Sequence, residues 1–376
     1  MKSLFRALAA LSLVIVLCAH ATDKAPGVDW DAAARIREEG LQHSQVMDTV
    51  GYMTDVLGGR LTLSEGMKRA QLWAKDKMEK MGLENVVIEP FMDYGVPWDN
   101  EYFSLHMLEP QAQPMTGYPL AWTSGTKGRI ACPVVIADDI QVKKDLERYR
   151  GRLKGAAVLA SPLLPLDMAG LTQGVARLTP EDLKKMEEAV VPKPQFQRPA
   201  PPPPNPDLLK AEDKLEFFRA EGALAALQCE GGQPGAVRGF GRPGAGEDKW
   251  SREKTLRSLP IIAVTPEHYN RMYRIVKRNI PVKIELEVRN RVGDKVEKAA
   301  NVVGEWHGTD LADQIVMVGA HFDSWHQASG ASDDASGCAV AMEAVRILKA
   351  IGVKPRRTIR LAFWGGEEQG LHGSRG

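Results

Sequence analysis

Several common catalytic and binding motifs are absent from this 376-residue sequence. It contains no His-Glu-x-x-His pair of the zincin type and no Gly-x-Ser-x-Gly turn to carry a nucleophilic serine. It also lacks a Gly-x-x-x-x-Gly-Lys loop for holding phosphates. These absences exclude zincin, α/β-hydrolase and P-loop chemistry as the basis of its function.

An excess of charge of either sign is also absent. Lys and Arg number 49 and Asp and Glu number 48, which leaves a formal net charge of +1. Such a balance gives no electrostatic attraction to nucleic acid or to an anionic membrane, so neither is a predicted partner. Hydrophobic residues make up 44% and charged residues 26%, as in ordinary soluble proteins. The length favours two domains over one.

No apolar run is long enough to span a membrane comfortably, but a shorter one lies at the N-terminus. Lys2 and Arg6 are followed by apolar residues over 7–17 and then by small residues. This pattern is typical of a secretory signal peptide cleaved after Ala21. The sequence therefore predicts a signal peptide over 1–21, export to the periplasm or the extracellular space, and no membrane span after cleavage.

Cysteine is scarce, with four residues in the chain. Cys18 offers an alternative reading of the N-terminus as a lipoprotein signal, although the preceding Leu17 fits it poorly; an uncleaved anchor is the third alternative. After cleavage, Cys132 and Cys229 are able to form one disulfide in an oxidising compartment, and their pairing stays open. Cys338 lies in an apolar helical pattern, which predicts a buried thiol.

The hydrophobic pattern indicates an α/β domain with an insertion. Helices are predicted at 30–58 and after Ser64, and the predicted strands are 85–89, 133–137, 156–160, 223–228, 261–264, 282–288, 301–304, 315–319 and 358–363. A predicted helix over 336–350 joins the last two strands as a parallel crossover. The stretch 191–206 is Pro-rich and is predicted to be an exposed loop.

One imidazole and several carboxylates follow the strands of this crossover. His321 comes directly after one strand, Glu367 and Glu368 come after the next, and Asp333 and Asp334 lie in the loop that enters the helix. Ligands bind beyond the carboxyl ends of parallel strands, so these side chains are expected at one edge of the sheet. An imidazole with several carboxylates suits a pair of zinc-like ions.

The roles of these groups follow from two-metal chemistry. A carboxylate can bridge two ions, and a second one beside them can take a proton from water. The adjacent Glu367 and Glu368 suit this division of labour, and Asp323 is placed to orient the imidazole. Taken singly, each residue has an ordinary structural explanation, such as helix capping or a solvated turn. Their joint placement favours a metal site, whereas His326 and His372, the possible extra ligands, are assigned to a loop and a turn.

Three motifs carry a resemblance to a known family. Gly-Ala-His-Phe-Asp-Ser-Trp (319–325), Ala-Ser-Asp-Asp-Ala-Ser-Gly (331–337) and Phe-Trp-Gly-Gly-Glu-Glu-Gln-Gly-Leu (363–371) resemble those of the co-catalytic zinc exopeptidases. This family includes bacterial leucine aminopeptidases, glutamate carboxypeptidase II and plasma glutamate carboxypeptidase. The resemblance implies a three-layer αβα core on a mixed, largely parallel sheet, incomplete here, with an inserted β-rich protease-associated domain.

The resemblance also implies domain bounds and residue roles. Residues 22–116 and 281–376 would form the peptidase domain, and 117–280 the protease-associated domain. The implied metal ligands for two Zn²⁺ ions are His321, Asp333 as the bridging carboxylate and Glu368. Glu367 is implied to be the general base and Asp323 the partner of His321. A cis peptide is implied between Asp333 and Asp334.

The family needs two further ligands, an Asp and a later His, that would lie beyond Gly376. The resemblance therefore implies that the chain is truncated at its C-terminus and that the chain as given is inactive. The predicted function is that of an exported zinc-dependent exopeptidase acting on peptides, with aminopeptidase action as first choice. Two alternatives remain: a carboxypeptidase or dipeptidase of the plasma glutamate carboxypeptidase type, and a non-catalytic receptor-like binding module. The sequence does not predict an oligomeric state.

Overall fold

The computed structural model describes residues 28–165, 178–188, 207–231, 234–244, 246 and 248–375. The predicted signal peptide and the Pro-rich stretch lie outside the described residues. In the part of the chain that is described, no helix has both the length and the apolar character needed to cross a membrane.

Helices begin the described part of the chain and lie between the strands. The described α-helices are α1 (Trp30–Gln42), α2 (Val46–Gly51), α3 (Glu65–Lys80), α4 (Pro180–Glu188), α5 (Ala211–Ala220), α6 (Arg252–Arg257), α7 (Pro266–Lys277) and α8 (Ser336–Ala350). The first predicted helix is broken after α1, because the N–H of Gln45 donates to the Glu343 carboxylate (3.0 Å) and begins a new helix. The predicted start of α3 is confirmed, since the Ser64 hydroxyl accepts from the N–H of Met67 (3.1 Å).

Strands form two sheets. They are β1 (Glu84–Gly95), β2 (Trp98–Glu109), β3 (Gln113–Pro114), β4 (Gly117–Pro119), β5 (Ile130–Ile136), β6 (Ala157–Leu159), β7 (Ala225–Gln228), β8 (Ile261–Val264), β9 (Lys283–Val292), β10 (Glu297–Trp306), β11 (Leu311–His321) and β12 (Arg357–Trp364). The first sheet has the order β1-β10-β12-β11, and the second has the order β3-β2-β9-β5-β6-β7-β8-β4.

The four-stranded sheet is mixed, as predicted. β11 and β12 are parallel and are joined through α8, which confirms the predicted crossover unit. β1 with β10 and β10 with β12 pair in the antiparallel sense. β1, β12 and β11 therefore run in one direction and β10 runs opposite to them, which agrees with the mixed, largely parallel sheet that the resemblance implies.

Helices α3 and α8 pack on one face of this sheet and share one hydrophobic core with it. Met78 of α3 and Val345 of α8 lie in the same cluster as Leu361 and Phe363 of β12. On the opposite face, Met317 of β11 is 50% exposed. The described residues thus supply two layers of the predicted three.

The eight-stranded sheet contains every described strand between residues 117 and 280. It also contains β2 and β9, which lie outside those bounds and pair with each other along their length. The two sheets share no strand among the described residues. The domain bounds stay a prediction, but the sheet that holds 133–136 is separate from the sheet that holds 315–319.

The three described cysteines are free thiols. Cys132 and Cys229 are buried in the core of the eight-stranded sheet, and no disulfide joins them. Cys338 is buried in α8, as its helical pattern predicts, and its thiol lies 3.0 Å from the main-chain oxygen of His321.

Candidate metal centre

The crossover brings the predicted site residues to one edge of the four-stranded sheet. His321 is the last residue of β11 and pairs in register with Trp364, the last residue of β12. Glu367 and Glu368 follow β12 directly, and Asp333 lies in the turn Ala331–Ala335 that precedes α8. The edge on which these groups meet is the carboxyl edge of the parallel pair.

The imidazole of His321 lies between two aspartates. Its Nε2 is 2.7 Å from Oδ1 of Asp333 and 3.8 Å from Oε2 of Glu367. Its Nδ1 is 3.0 Å from the main-chain oxygen of Asp323 and 3.7 Å from the carboxylate of that residue. With an Nδ1–H donating to this carbonyl, Nε2 is the nitrogen that faces the carboxylates.

The surroundings of His321 favour its protonated form in the absence of a metal. Burial acts to lower the pKa of the imidazole, but hydrogen bonds and negative charge from Asp323, Asp333 and Glu367 outweigh it and raise the pKa to about 9. The site is therefore rich in negative charge around one basic group.

Asp323 is fully buried and bonds to the loop that follows β12. Its side chain has 0% exposure. One carboxylate oxygen accepts from the N–H of Glu367 (3.0 Å), and the other accepts from the N–H of Glu368 (3.2 Å). The sequence predicted that this carboxylate orients the imidazole of His321. In the structure the main-chain carbonyl of Asp323 is nearer to the imidazole, while the carboxylate fixes the two glutamates.

Asp333 and Asp334 are joined by a cis peptide bond, as the family resemblance implies. The side chain of Asp333 is 75% exposed and extends toward His321. The carboxylate of Asp334 accepts from the N–H of Gly337 (2.9 Å) in the first turn of α8. Asp333 thus contributes its carboxylate to the candidate site, and Asp334 contributes its carboxylate to the start of α8.

The two glutamates differ in their surroundings. Glu367 has a side chain that is 33% exposed. Glu368 is half-buried, and burial together with the negative charges of Asp333 and Asp323 raises the pKa of its carboxyl group to about 7. These surroundings disfavour the carboxylate form of Glu368, and a cation bound nearby would favour it.

The residues of this edge fit zinc in type and charge. An imidazole nitrogen and carboxylate oxygens are zinc donors, and a bound cation would offset the negative charges of Asp333 and Asp323 that act on Glu368. Across the described ranges, no three His, Cys, Asp or Glu side chains form a ready cluster around one point. Because Oδ1 of Asp333 lies 2.7 Å from Nε2 of His321, these two atoms would have to separate for a metal to be held between them.

No sequence motif points to two buried polar residues that lie near the site, Arg60 and Asn301. Arg60 has no exposure and donates to the main-chain oxygens of Phe322 (2.7 Å) and Ser329 (2.8 Å) in the loop after β11. Asn301 of β10 bonds to the main chain of Gly365 and Gly373. Both make long-range contacts to main-chain groups, so only the folded structure shows them.

The two other histidines considered as ligands lie elsewhere. Nε2 of His326 is 2.7 Å from the main-chain oxygen of Pro119, and its ring packs edge-on against Trp98. His372 packs edge-on against Tyr94. His326 thus sits in the loop and His372 in the turn to which the sequence assigned them.

Comparisons with known proteins point to one family. Residues 301–376 match the model of Peptidase family M28. Carboxypeptidase Q of Bos taurus is 26% identical over 339 residues, which are 89% of this chain and 61% of that protein. A Peptidase M28 precursor from Shewanella amazonensis SB2B superposes with a TM-score of 0.59 at 23% identity, over 92% of this chain and 69% of that one. The zinc aminopeptidase of Bacillus subtilis superposes with a TM-score of 0.50 at 18% identity, over 88% and 62%.

These likenesses confirm the resemblance to the co-catalytic zinc exopeptidases and the α/β fold that it implies. The two structural likenesses show the fold alone. The chain spans about 60% of the length of the Carboxypeptidase Q proteins that it matches.

Proposed function

We propose that the protein to which this chain belongs is a relative of the M28 peptidases. It is a zinc-dependent exopeptidase that hydrolyses terminal peptide bonds. The observation that carries the proposal is the meeting of His321, Asp333 and the Glu367–Glu368 pair at the carboxyl edge of β11 and β12. Negative charge concentrated around one imidazole, on a family-typical fold, is the arrangement that a metallopeptidase needs.

The proposed metal ligands are His321, Asp333 and Glu368, with Asp333 between two ions. Zinc bound here would polarise the peptide carbonyl and make water a better nucleophile at neutral pH. The carbonyl of Asp323 would hold the imidazole of His321 in the tautomer that leaves Nε2 free. The Glu368 carboxyl group would lose its proton on binding, because a nearby cation favours the carboxylate.

Glu367 is the proposed general base. Its carboxylate lies beside the imidazole at 3.8 Å and is partly open to solvent, so it can reach an attacking water. It would accept the proton of that water and return it to the leaving amine. Because Asp323 fixes the N–H of Glu367, the base would stay beside the reacting carbonyl through both proton transfers.

For the end of the substrate, two candidates have support. Aminopeptidase action was the first choice from the sequence motifs. The sequence match over 89% of the chain is to a protein named Carboxypeptidase Q, and this favours the carboxypeptidase or dipeptidase alternative. We therefore place carboxypeptidase or dipeptidase action first.

The test uses the intact protein that carries this sequence. Chelation should abolish hydrolysis of an unblocked dipeptide, and added zinc should restore it. A dipeptide blocked at its N-terminus and one blocked at its C-terminus then separate the two specificities. Cleavage of the N-blocked peptide alone supports carboxypeptidase action, and cleavage of the C-blocked peptide alone supports aminopeptidase action. Hydrolysis that survives chelation would contradict the zinc-dependent mechanism.

We further propose that the strands of 117–280 form a protease-associated domain that limits substrate size, and that the protein is exported. The separation of β11 and β12 from the eight-stranded sheet supports the first proposal. The apolar run over 7–17 supports the second. N-terminal sequencing of the mature protein tests export, because cleavage after Ala21 should make Thr22 the first residue.

A further inference from the structure

The loop that carries Glu367 and Glu368 returns to its own starting point. The N–H of Gly373 donates to the main-chain oxygen of Gly365 (3.0 Å), and the N–H of His372 donates to that of Gly366 (3.1 Å). Residues 365–373 therefore form a closed loop whose two ends lie side by side at the end of β12.

A single buried side chain joins those two ends. The carboxamide oxygen of Asn301 accepts from the N–H of Gly365 (3.0 Å), and its nitrogen donates to the main-chain oxygen of Gly373 (3.0 Å). Asn301 lies in β10 and is 5% exposed. Both hydrogen-bonding ends of the carboxamide are thus used within one loop, away from solvent.

The two ends of the loop are glycine, and the close approach to β10 requires it. A Cβ on Gly365 would lie 2.6 Å from the main-chain oxygen of Ala300, closer than real Cβ contacts. A Cβ on Gly373 would collide with Oδ1 of Asn301. Glycine at 365 therefore leaves room for the main chain of β10, and glycine at 373 leaves room for the Asn301 carboxamide.

The strand order places a second anchor on the other side of the loop. β12 lies between β10 and β11 in the sheet. Asn301 from β10 holds the base of the loop, and Asp323, just past β11, accepts from the N–H groups of Glu367 and Glu368. Side chains from both flanking strands thus fix the loop that follows the central strand.

We propose that Asn301 is a positioning residue of the candidate site, because its carboxamide closes the 365–373 loop and so holds the Glu367 and Glu368 carboxylates in place. The inference rests on the proposed function for its catalytic consequence. The Asn301 side chain is proposed to contact neither the metal nor the substrate and to act through the geometry of the loop.

The test compares Asn301→Ala with a matched control in the intact protein. Asn270 is also buried and also makes two main-chain bonds, accepting from the N–H of Leu164 (3.0 Å) and donating to its oxygen (2.7 Å). Hydrogen exchange followed by mass spectrometry on the metal-free protein should show amides of 365–373 exchanging about tenfold faster in Asn301→Ala and unchanged in Asn270→Ala. In the zinc-loaded protein, kcat should fall about tenfold or more in Asn301→Ala alone, with KM nearly constant.

Asn301→Asp provides a second variant with the same shape. Its carboxyl group can accept from Gly365, but it can donate to the oxygen of Gly373 only when it is protonated. The groups that Asn301 bonds to are neutral main-chain groups, and the position is 5% exposed, so burial would raise the pKa of the introduced carboxyl. The kcat of this variant relative to wild type should therefore rise as pH falls, whereas the ratio for Asn301→Ala should stay flat.

Two results would contradict different claims. Exchange in 365–373 that is the same in Asn301→Ala and Asn270→Ala would overturn the positioning role. Peptidase activity absent from the wild-type protein would overturn the proposed function, while faster exchange of the loop in Asn301→Ala would still support the role of Asn301 in closing it.

Discussion

The main-chain oxygen of Asp323 lies 3.0 Å from Nδ1 of His321, whereas the carboxylate of the same residue lies 3.7 Å from that nitrogen. The carbonyl thus orients the imidazole, and the carboxylate is free to accept from the N–H groups of Glu367 and Glu368. One residue connects the end of β11 to the loop after β12, so the imidazole and the two glutamates are positioned together.

Asp323→Asn should destabilise the protein by about 1–3 kcal/mol, because a carboxamide has one oxygen to offer two N–H donors and leaves one of them without a partner. The free energy of unfolding, measured in urea, checks this. Asp313→Asn, at an exposed position of β11, serves as control and should change stability by less than about 0.5 kcal/mol. Equal stabilities of the two variants would show that the carboxylate does not hold the loop.

Arg60→Met should destabilise the protein by about 3 kcal/mol or more. The guanidinium donates to four main-chain oxygens, those of Gly58, Phe322, Ser329 and Gly330, and methionine would leave the buried oxygens of Phe322 and Gly330 without this donor. Thermal unfolding followed by circular dichroism measures the loss. Arg69→Met, at an exposed position on α3, is the matched control. A loss no larger than that of the control would contradict this role.

His326 should make stability depend on pH in the acid range. Burial lowers its pKa to about 4, although its hydrogen bond to the oxygen of Pro119 opposes this. Between the unfolded value of about 6.5 and 4, the unfolded chain binds a proton that the folded chain does not, so stability falls as pH falls through this window. Urea unfolding from pH 7 to pH 4 should show the loss in wild type, and His326→Gln should remove that part of it. Identical pH profiles would contradict the prediction.

His321→Gln should lower zinc affinity by about 100-fold or more, because it removes the only imidazole among the proposed ligands. Competition with a chromogenic chelator measures the affinity in the intact protein. His307→Gln, a substitution of an exposed histidine just past β10, should leave it unchanged. Equal affinities in the two variants would remove His321 from the ligand set.

Much of the fold followed from short-range patterns. Ser64 marks the start of α3 because N-capping is a local property of the chain, and Gly82 follows the helix with a φ of 74°. The predicted strand over 282–288 lies almost wholly in β9, and both this strand and the crossover through α8 were predictable because they rest on local hydrophobic patterns. The site residues follow from the crossover, since strand direction determines which edge carries the loops.

Long-range contacts account for what the sequence did not show. The first helix breaks before Gln45 because Glu343, almost 300 residues away, accepts from its N–H. β2 joins the eight-stranded sheet by pairing with β9, a partner that periodicity cannot identify. Asn301 looks like one more residue of a strand until the structure places Gly365 and Gly373 on either side of its carboxamide.

The most direct test of the proposed mechanism is Glu367→Gln in the intact protein, with zinc content and turnover measured on the same preparation. Zinc content should match that of wild type, because Glu367 is the proposed base and not a ligand. Turnover of a dipeptide should fall by about 100-fold or more, since glutamine cannot accept the proton of water. The exposed Glu181→Gln on α4 should keep full activity. Full turnover in Glu367→Gln with zinc bound would contradict the account.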